Sequence, residues 1–233
     1  RHCCILSAMA EFNSKIKKDF TLNILSKKDK DYINEKIHNL VPESTSYKIL
    51  LSGSEGYTAS CVFKRIYISR LFMDGILTGR TDFSFINALK SSVGHELGHK
   101  NDYMPKSKIK RFLLNCAELL DGLFFKYVPY VSKEFKFYLW IWEVHADFYG
   151  CFIALNGSRT NQLMSIDFKI SKKSGTICKD SYTHPSWEKR LKYIKFYNFD
   201  RRLILQVARD AGFSLNECLL ENIILHYGTI VLH

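Results

Sequence analysis

Three things are scarce in this chain. Proline occurs four times in 233 residues. No two cysteines stand as Cys-x-x-Cys. No apolar run of the roughly 20 residues that a membrane span needs is free of charge. The missing Cys-x-x-Cys pair excludes a zinc knuckle and a thioredoxin-type redox site. The seven cysteines are odd in number and scattered, so they read as reduced thiols of a cytoplasmic protein rather than a disulfide framework. The most apolar stretches are Phe112 to Val131 and Tyr138 to Leu155. The first carries Glu118, Asp121 and Lys126, the second Glu143, His145 and Asp147. Both read as buried helices of a soluble protein, with no membrane span in this chain. The opening run Cys3 to Ala10 is too short for a span and lacks the layout of a secretory signal. Arg1-His2 stands in place of Met and reads as the start of a trimmed segment.

Apolar residues make up 46% and charged residues 24%, the balance of a globular protein rather than a disordered tail, a collagen or a coiled-coil rod. At about 150 residues per domain the length suits one domain with a substantial core. Lys and Arg number 34 against 23 Asp and Glu. That excess favours acidic partners and says nothing about fold.

Apolar positions Ile16, Phe20, Ile24, Ile33, Ile37 and Leu40 recur at roughly helical spacing up to Pro42. Residues 47–52 and 61–69 are β-prone and flank a turn-rich segment, which predicts a hairpin or small sheet. A short helix over 71–77 stops near Gly79. The next helix, capped by Asp82 or Ser84, runs to about Lys100. Further helices are expected over 108–127, 132–155, 185–196, 201–211 and 215–227. Residues 156–180 read as an exposed loop. The order predicts an α+β fold dominated by helix.

The sharpest motif is Gly94-His95-Glu96-Leu97-Gly98-His99. On a helix, His95 and His99 share one face one turn apart. Two imidazoles so placed can bind one Zn²⁺, and Glu96 can serve a zinc-bound water as general base. Gly94 and Gly98 permit close packing of that helix. A third ligand is expected from Glu143-Val144-His145-Ala146-Asp147. Glu143 and Asp147 share a face, while His145 lies about 200° around the helix from Glu143. Glu143 is preferred as ligand, with Asp147 orienting a ligating histidine; His145 is the alternative ligand. His184, in Thr183-His184-Pro185, is a candidate donor to an oxyanion. The aromatic cluster Phe135 to Trp142 and Cys151 read as core. The Lys-rich runs 15–18 and 27–30 read as solvated helix faces.

Taken together these segments resemble the gluzincin metallopeptidases related to the CAAX-prenyl endoproteases and their soluble bacterial relatives. The resemblance covers about residues 60–195. Arg65-Ile66-Tyr67-Ile68-Ser69 is similar to the strand before the family's zinc helix, and Ser92 to His99 to that helix. Glu143 to Asp147 resembles its Glu-x-x-Ala-Asp segment, and Thr183 to Arg190 its Thr-His-Pro segment. The resemblance implies a zincin-like domain with Zn²⁺ on His95, His99 and Glu143. It further implies Glu96, His184 and Arg190 as catalytic or supporting residues. The strand with Ile66, Tyr67 and Ile68 would bind a protein or peptide substrate as an added strand. The family's membrane-bound members carry transmembrane helices that this chain lacks, and Tyr57 to Ser60 lacks the Asn often found there.

The expected organisation is an N-terminal helical segment over 1–45, a zinc metallopeptidase domain over 46–199, and C-terminal helices of that domain over 200–233. The expected function is zinc-dependent peptide-bond hydrolysis. Two alternatives are a non-catalytic metal-containing module whose basic surface engages an acidic partner, and a peptidase effector cleaving one host protein. Nucleic acid is not the expected partner of the leading reading.

Overall fold

The computed structural model describes residues 25–54, 56–62, 64–119, 129–172 and 179–233. The expectations for Ile16, Phe20, Ile24 and the 15–18 run lie outside the described residues, as does the helix expected over 120–127. Helix α1, Lys27–Leu40, is capped by Ser26, whose side chain accepts from the Asp29 N–H. It buries Ile33 and Ile37. Three strands follow: β1, Lys48–Ser52; β2, Ala59–Val62; and β3, Arg65–Ser69. Their order is β1-β3-β2. β1 runs parallel to β3, and β2 antiparallel.

This sheet differs from a simple hairpin of two runs. The chain reverses near Lys64, which takes a left-handed φ of 59°, so the run 61–69 is divided between β2 and β3. A lysine in that conformation is uncommon, and no Asn-Gly or Asp-Gly signal announces the turn. The parallel partner, β1, is reached only through β2. β3 is therefore the middle strand, with Ile66 and Ile68 fully buried. The outer edge of β1 is partly closed by Asn34 of α1. Its side chain accepts from the Ile49 N–H at 3.1 Å and donates to the Ile49 carbonyl at 3.4 Å.

β3 leads directly into α2, Arg70–Leu77. Helix α3, Phe83–Gly98, is capped by Asp82, which accepts from the Phe85 N–H. It tightens into a 3₁₀ turn over His99–Asn101. α4, Lys108–Leu119, and α5, Pro129–Ala154, follow. Pro129 opens α5 rather than breaking the chain before it; its missing N–H is no loss in a first turn. The expected loop over 156–180 contains α6, Arg159–Ser171, capped by Ser158. Polar Gln162, Ser165 and Lys169 lie on its buried side, which hides the apolar period that would have announced it. The helix expected from Pro185 starts two residues later as α7, Trp187–Phe196, capped by Ser186. α8, Arg201–Ala211, and α9, Glu217–Tyr227, complete the described elements. Among the described residues no helix is long and apolar enough to cross a membrane.

Two apolar clusters meet where α3 lies against α5. One joins α1, the sheet, α2 and α3. The other is built on α5 and includes Phe135, Phe137, Tyr138, Trp140, Trp142 and Cys151, with α8 and α9 packed on it. At the seam the two backbones touch. A Cβ on Gly98 would lie 2.7 Å from Ala146 Cα, and one on Gly94 2.8 Å from the Gly150 carbonyl oxygen. A Cβ on Gly150 would lie 2.5 Å from the His95 backbone nitrogen. Glycine inside a helix costs about 1 kcal/mol relative to alanine, and here the close approach compensates. Gly150→Ala should therefore force the helices apart and destabilise the protein by about 1–3 kcal/mol, the usual range for overpacking. Urea unfolding of the variant checks this; an unchanged or higher midpoint would refute the close-packing argument.

Candidate metal centre

α3 presents His95 and His99 with their Nε2 atoms 3.1 Å apart. Glu143 on α5 faces both. Its Oε2 lies 3.4 Å from His95 Nε2, and its Oε1 3.4 Å from His99 Nε2. The three groups could hold one metal ion, since their ligand atoms all lie within 4.8 Å of one another. Atoms bound tetrahedrally at about 2.0–2.1 Å from one ion are about 3.3 Å apart. The observed spacings fit that arrangement, and the donor set of two imidazoles and a carboxylate suits a divalent transition metal.

A frame of charges holds this set. Asp147, one turn beyond Glu143, places Oδ1 3.0 Å from His95 Nδ1. Arg190 from α7 donates through Nε to Asp147 Oδ2 at 2.7 Å and through Nη2 to Oδ1 at 2.5 Å. Its Nη1 lies 3.5 Å from Glu143 Oε2. The guanidinium also stacks over the Trp187 ring at 4.2 Å. Burial would raise the Asp147 pKa, but the Arg190 charge and the His95 hydrogen bond outweigh it and hold the carboxyl well below its usual range. Burial opposes charge on His95 and His99 too. In His95 the Glu143 charge and the Asp147 hydrogen bond prevail and raise the pKa. In His99 hydrogen bonds to Asp102 and Glu143 do the same, more strongly. Burial likewise disfavours the Glu143 carboxylate, yet the adjacent imidazoles of His184 and His95 pull its pKa well down.

His184 stands at the rim, its side chain 38% exposed and its Nε2 3.4 Å from Glu143 Oε1. Its Nδ1 is 2.7 Å from the Thr183 hydroxyl. Its backbone N–H donates to Ser181 Oγ at 2.8 Å. Glu96 is half-buried on the same turn as the two histidines. Its charge is felt by Lys169 on α6 and by Cys61 on β2.

The structure thus brings together His95, Glu96, His99, Glu143, Asp147, His184 and Arg190. It does not bring Ile66, Tyr67 and Ile68 to a free edge. β3 is paired on both sides, so its backbone groups are already used and it cannot accept an added strand. The edge beside α3 belongs to β2. Sequence reasoning also missed Asp102, whose Oδ2 is 3.2 Å from His99 Nδ1; its place three residues after His99 was the available signal. Lys169 was hidden in the expected loop. It is buried, lies 5.6 Å from the centre of the Trp187 ring, and burial lowers its pKa to about 8. Cys61, Cys151 and Cys218 are free thiols.

His145 is not a ligand in this arrangement. It points to the other side of α5, stacked on Tyr227 with ring centroids 3.9 Å apart and set edge-on to Phe199. Its Nδ1 is buried without a hydrogen-bond partner among the described residues. Burial first, then the charges of His99, His226 and His95, push its pKa down to about 3. The unfolded chain takes up a proton near the ordinary 6.5, whereas the folded chain resists until about 3. Stability tied to His145 is therefore present above pH 6.5 and lost as pH falls below it. The slope is about 1.4 kcal/mol per pH unit. His145→Phe should keep metal binding and show a shallower loss of stability between pH 6.5 and 4.5 in urea titrations. Parallel losses in the two proteins would contradict a neutral, buried imidazole.

No family model matches the chain, and no curated protein or solved structure does either, so the geometry of the site carries its functional reading.

Proposed function

We propose that the chain is a zinc-dependent endopeptidase with a zincin-like catalytic domain. The observation that carries this reading is the His95–His99–Glu143 set at metal-ligand spacing, with a carboxylate, Glu96, between the two histidines. A metal site with a purely structural role has no need of that carboxylate.

His95, His99 and Glu143 would hold the ion, and zinc, when bound, supplies Lewis acidity to a water and to the substrate carbonyl. Glu96 takes a proton from the attacking water and delivers it to the leaving amine. With the Thr183 hydroxyl donating to Nδ1, His184 carries its hydrogen on Nε2 and donates it to the developing oxyanion. Arg190 and Asp147 keep His95 and Glu143 in place. An extended peptide pairs with the outer edge of β2. The Ser69 N–H donates to the Thr58 carbonyl at 2.9 Å, so alternation turns the backbone groups of Ala59 and Cys61 away from β3. That edge packs on α3, and Cys61 is close enough to Glu96 and His99 for both charges to act on its thiol.

Elemental analysis of the purified protein should find one zinc per chain. Glu143→Ala should lose it, and His145→Ala should keep it. In a peptide library read by mass spectrometry, Glu96→Gln should retain zinc yet cleave about 10²–10⁴-fold more slowly. Normal turnover in that variant would sink the mechanism. Zinc held by wild type with no cleavage of any peptide would instead favour a binding module on the basic surface.

Zinc binding should also depend on pH in a stated direction. Burial notwithstanding, the neighbouring carboxylates raise both His95 and His99 above the ordinary 6.5. Protons therefore compete with the metal from above pH 6.5 downward. Apparent affinity measured against a chelator should fall steadily from pH 8 to pH 6. A flat profile would mean that these imidazoles are not the ligands.

A further inference from the structure

We propose that Asp102 is a positioning residue that fixes the His99 imidazole for metal binding, and that α9 holds it there through Tyr227. The proposal rests on the metal-binding reading above and adds a residue to it. Its origin is local. At His99 the α-helix tightens into a 3₁₀ turn, in which side chains three apart eclipse. Asp102 is three residues on. Its N–H reaches back to the His99 carbonyl at 3.4 Å, and its Oδ2 meets His99 Nδ1 at 3.2 Å. A carboxylate there keeps the hydrogen on Nδ1 and leaves the Nε2 lone pair directed at His95 and Glu143. Asp147 does the same for His95 from α5. The two ligating histidines are thus each backed by a carboxylate, one from a distant helix and one from their own turn.

Asp102 has little else to do. Its side chain is 14% exposed, and its Oδ1 has no hydrogen-bond partner among the described residues. The segment carrying it is gripped on two sides. The Tyr103 N–H donates to the Tyr227 hydroxyl at 2.7 Å, and Trp142 Nε1 donates to the Tyr103 carbonyl at 2.8 Å. His226 Nε2 donates to the Asn101 carbonyl at 2.6 Å. Trp142 immediately precedes Glu143, so the helix that supplies the third ligand also anchors the turn that orients the second. Tyr227, from α9, braces that turn and stacks on His145 behind Glu143.

The test is zinc affinity by chelator competition on the full chain. Asp102→Ala should bind zinc about 10–100-fold more weakly than wild type, the usual effect of removing such a partner. Asp102→Asn keeps an acceptor oxygen and should lose less. Tyr227→Phe should lose a few-fold while remaining folded. A second readout needs no metal. In the zinc-free protein, at a pH where His99 is neutral, imidazole ¹⁵N shifts should report the Nδ1–H form in wild type and a mixture in Asp102→Ala. If Asp102→Ala does not fold, Asp102→Asn carries both measurements. Zinc affinity equal to wild type in both Asp102 variants would overturn the proposal and leave the metal centre standing. A wild type that binds no zinc would overturn the metal centre and this proposal together.

Discussion

The backbone contact between α3 and α5 is the constraint on which the rest of the site depends. Helices packed through ordinary side chains lie about 8–10 Å apart. Gly94, Gly98 and Gly150 leave no Cβ at the seam, and Ala146 and Ala154 add little. Because backbone atoms meet backbone atoms there, neither helix can slide or rotate without a clash. That fixed register sets Glu143 opposite the His95–His99 pair. It also sets Asp147, one turn further, opposite the far nitrogen of His95. The aromatic bulk of α5 is placed elsewhere, in the cluster beneath α8 and α9.

Around this seam the protein buries two carboxylates, a guanidinium and two imidazoles in apolar surroundings. Such groups are poor contributors to stability, because desolvation offsets most of their attraction. Their value here is geometric. Arg190 binds Asp147 through two nitrogens, so the carboxylate cannot turn, and His95 is then fixed by it. His184, by contrast, is held by short-range bonds within its own loop and remains partly exposed. The rigid groups are those that would hold an ion, and the accessible one is that which would meet a substrate.

Much of this was legible in the sequence because helical period converts spacing directly into shared faces. His95 with His99, Glu143 with Asp147, and the exclusion of His145 all follow from that single rule. The resemblance placed His184 and Arg190, which spacing alone would not. What the sequence hid was non-local or inverted in pattern. α6 buries Gln162, Ser165 and Lys169 instead of an apolar stripe, and so read as a loop. Asp102 depends on the change from α to 3₁₀ at His99, which no residue at that point announces. Gly150 became meaningful only once α3 lay against it.

The strand order shows how far one residue can redirect a functional assignment. Had residues 61–69 formed a single strand, Ile66, Tyr67 and Ile68 would have been available at an edge. The left-handed backbone at Lys64 turns the chain back on itself. Parallel pairing with β1 then encloses β3 from the other side. Ile66 and Ile68 become core, and the edge facing α3 passes to Ala59 and Cys61. The two edges of the sheet are not equivalent. Asn34 occupies the middle of the β1 edge, whereas the β2 edge lies against the helix that carries Glu96. An extended peptide therefore meets open backbone groups and the candidate metal centre together only along β2.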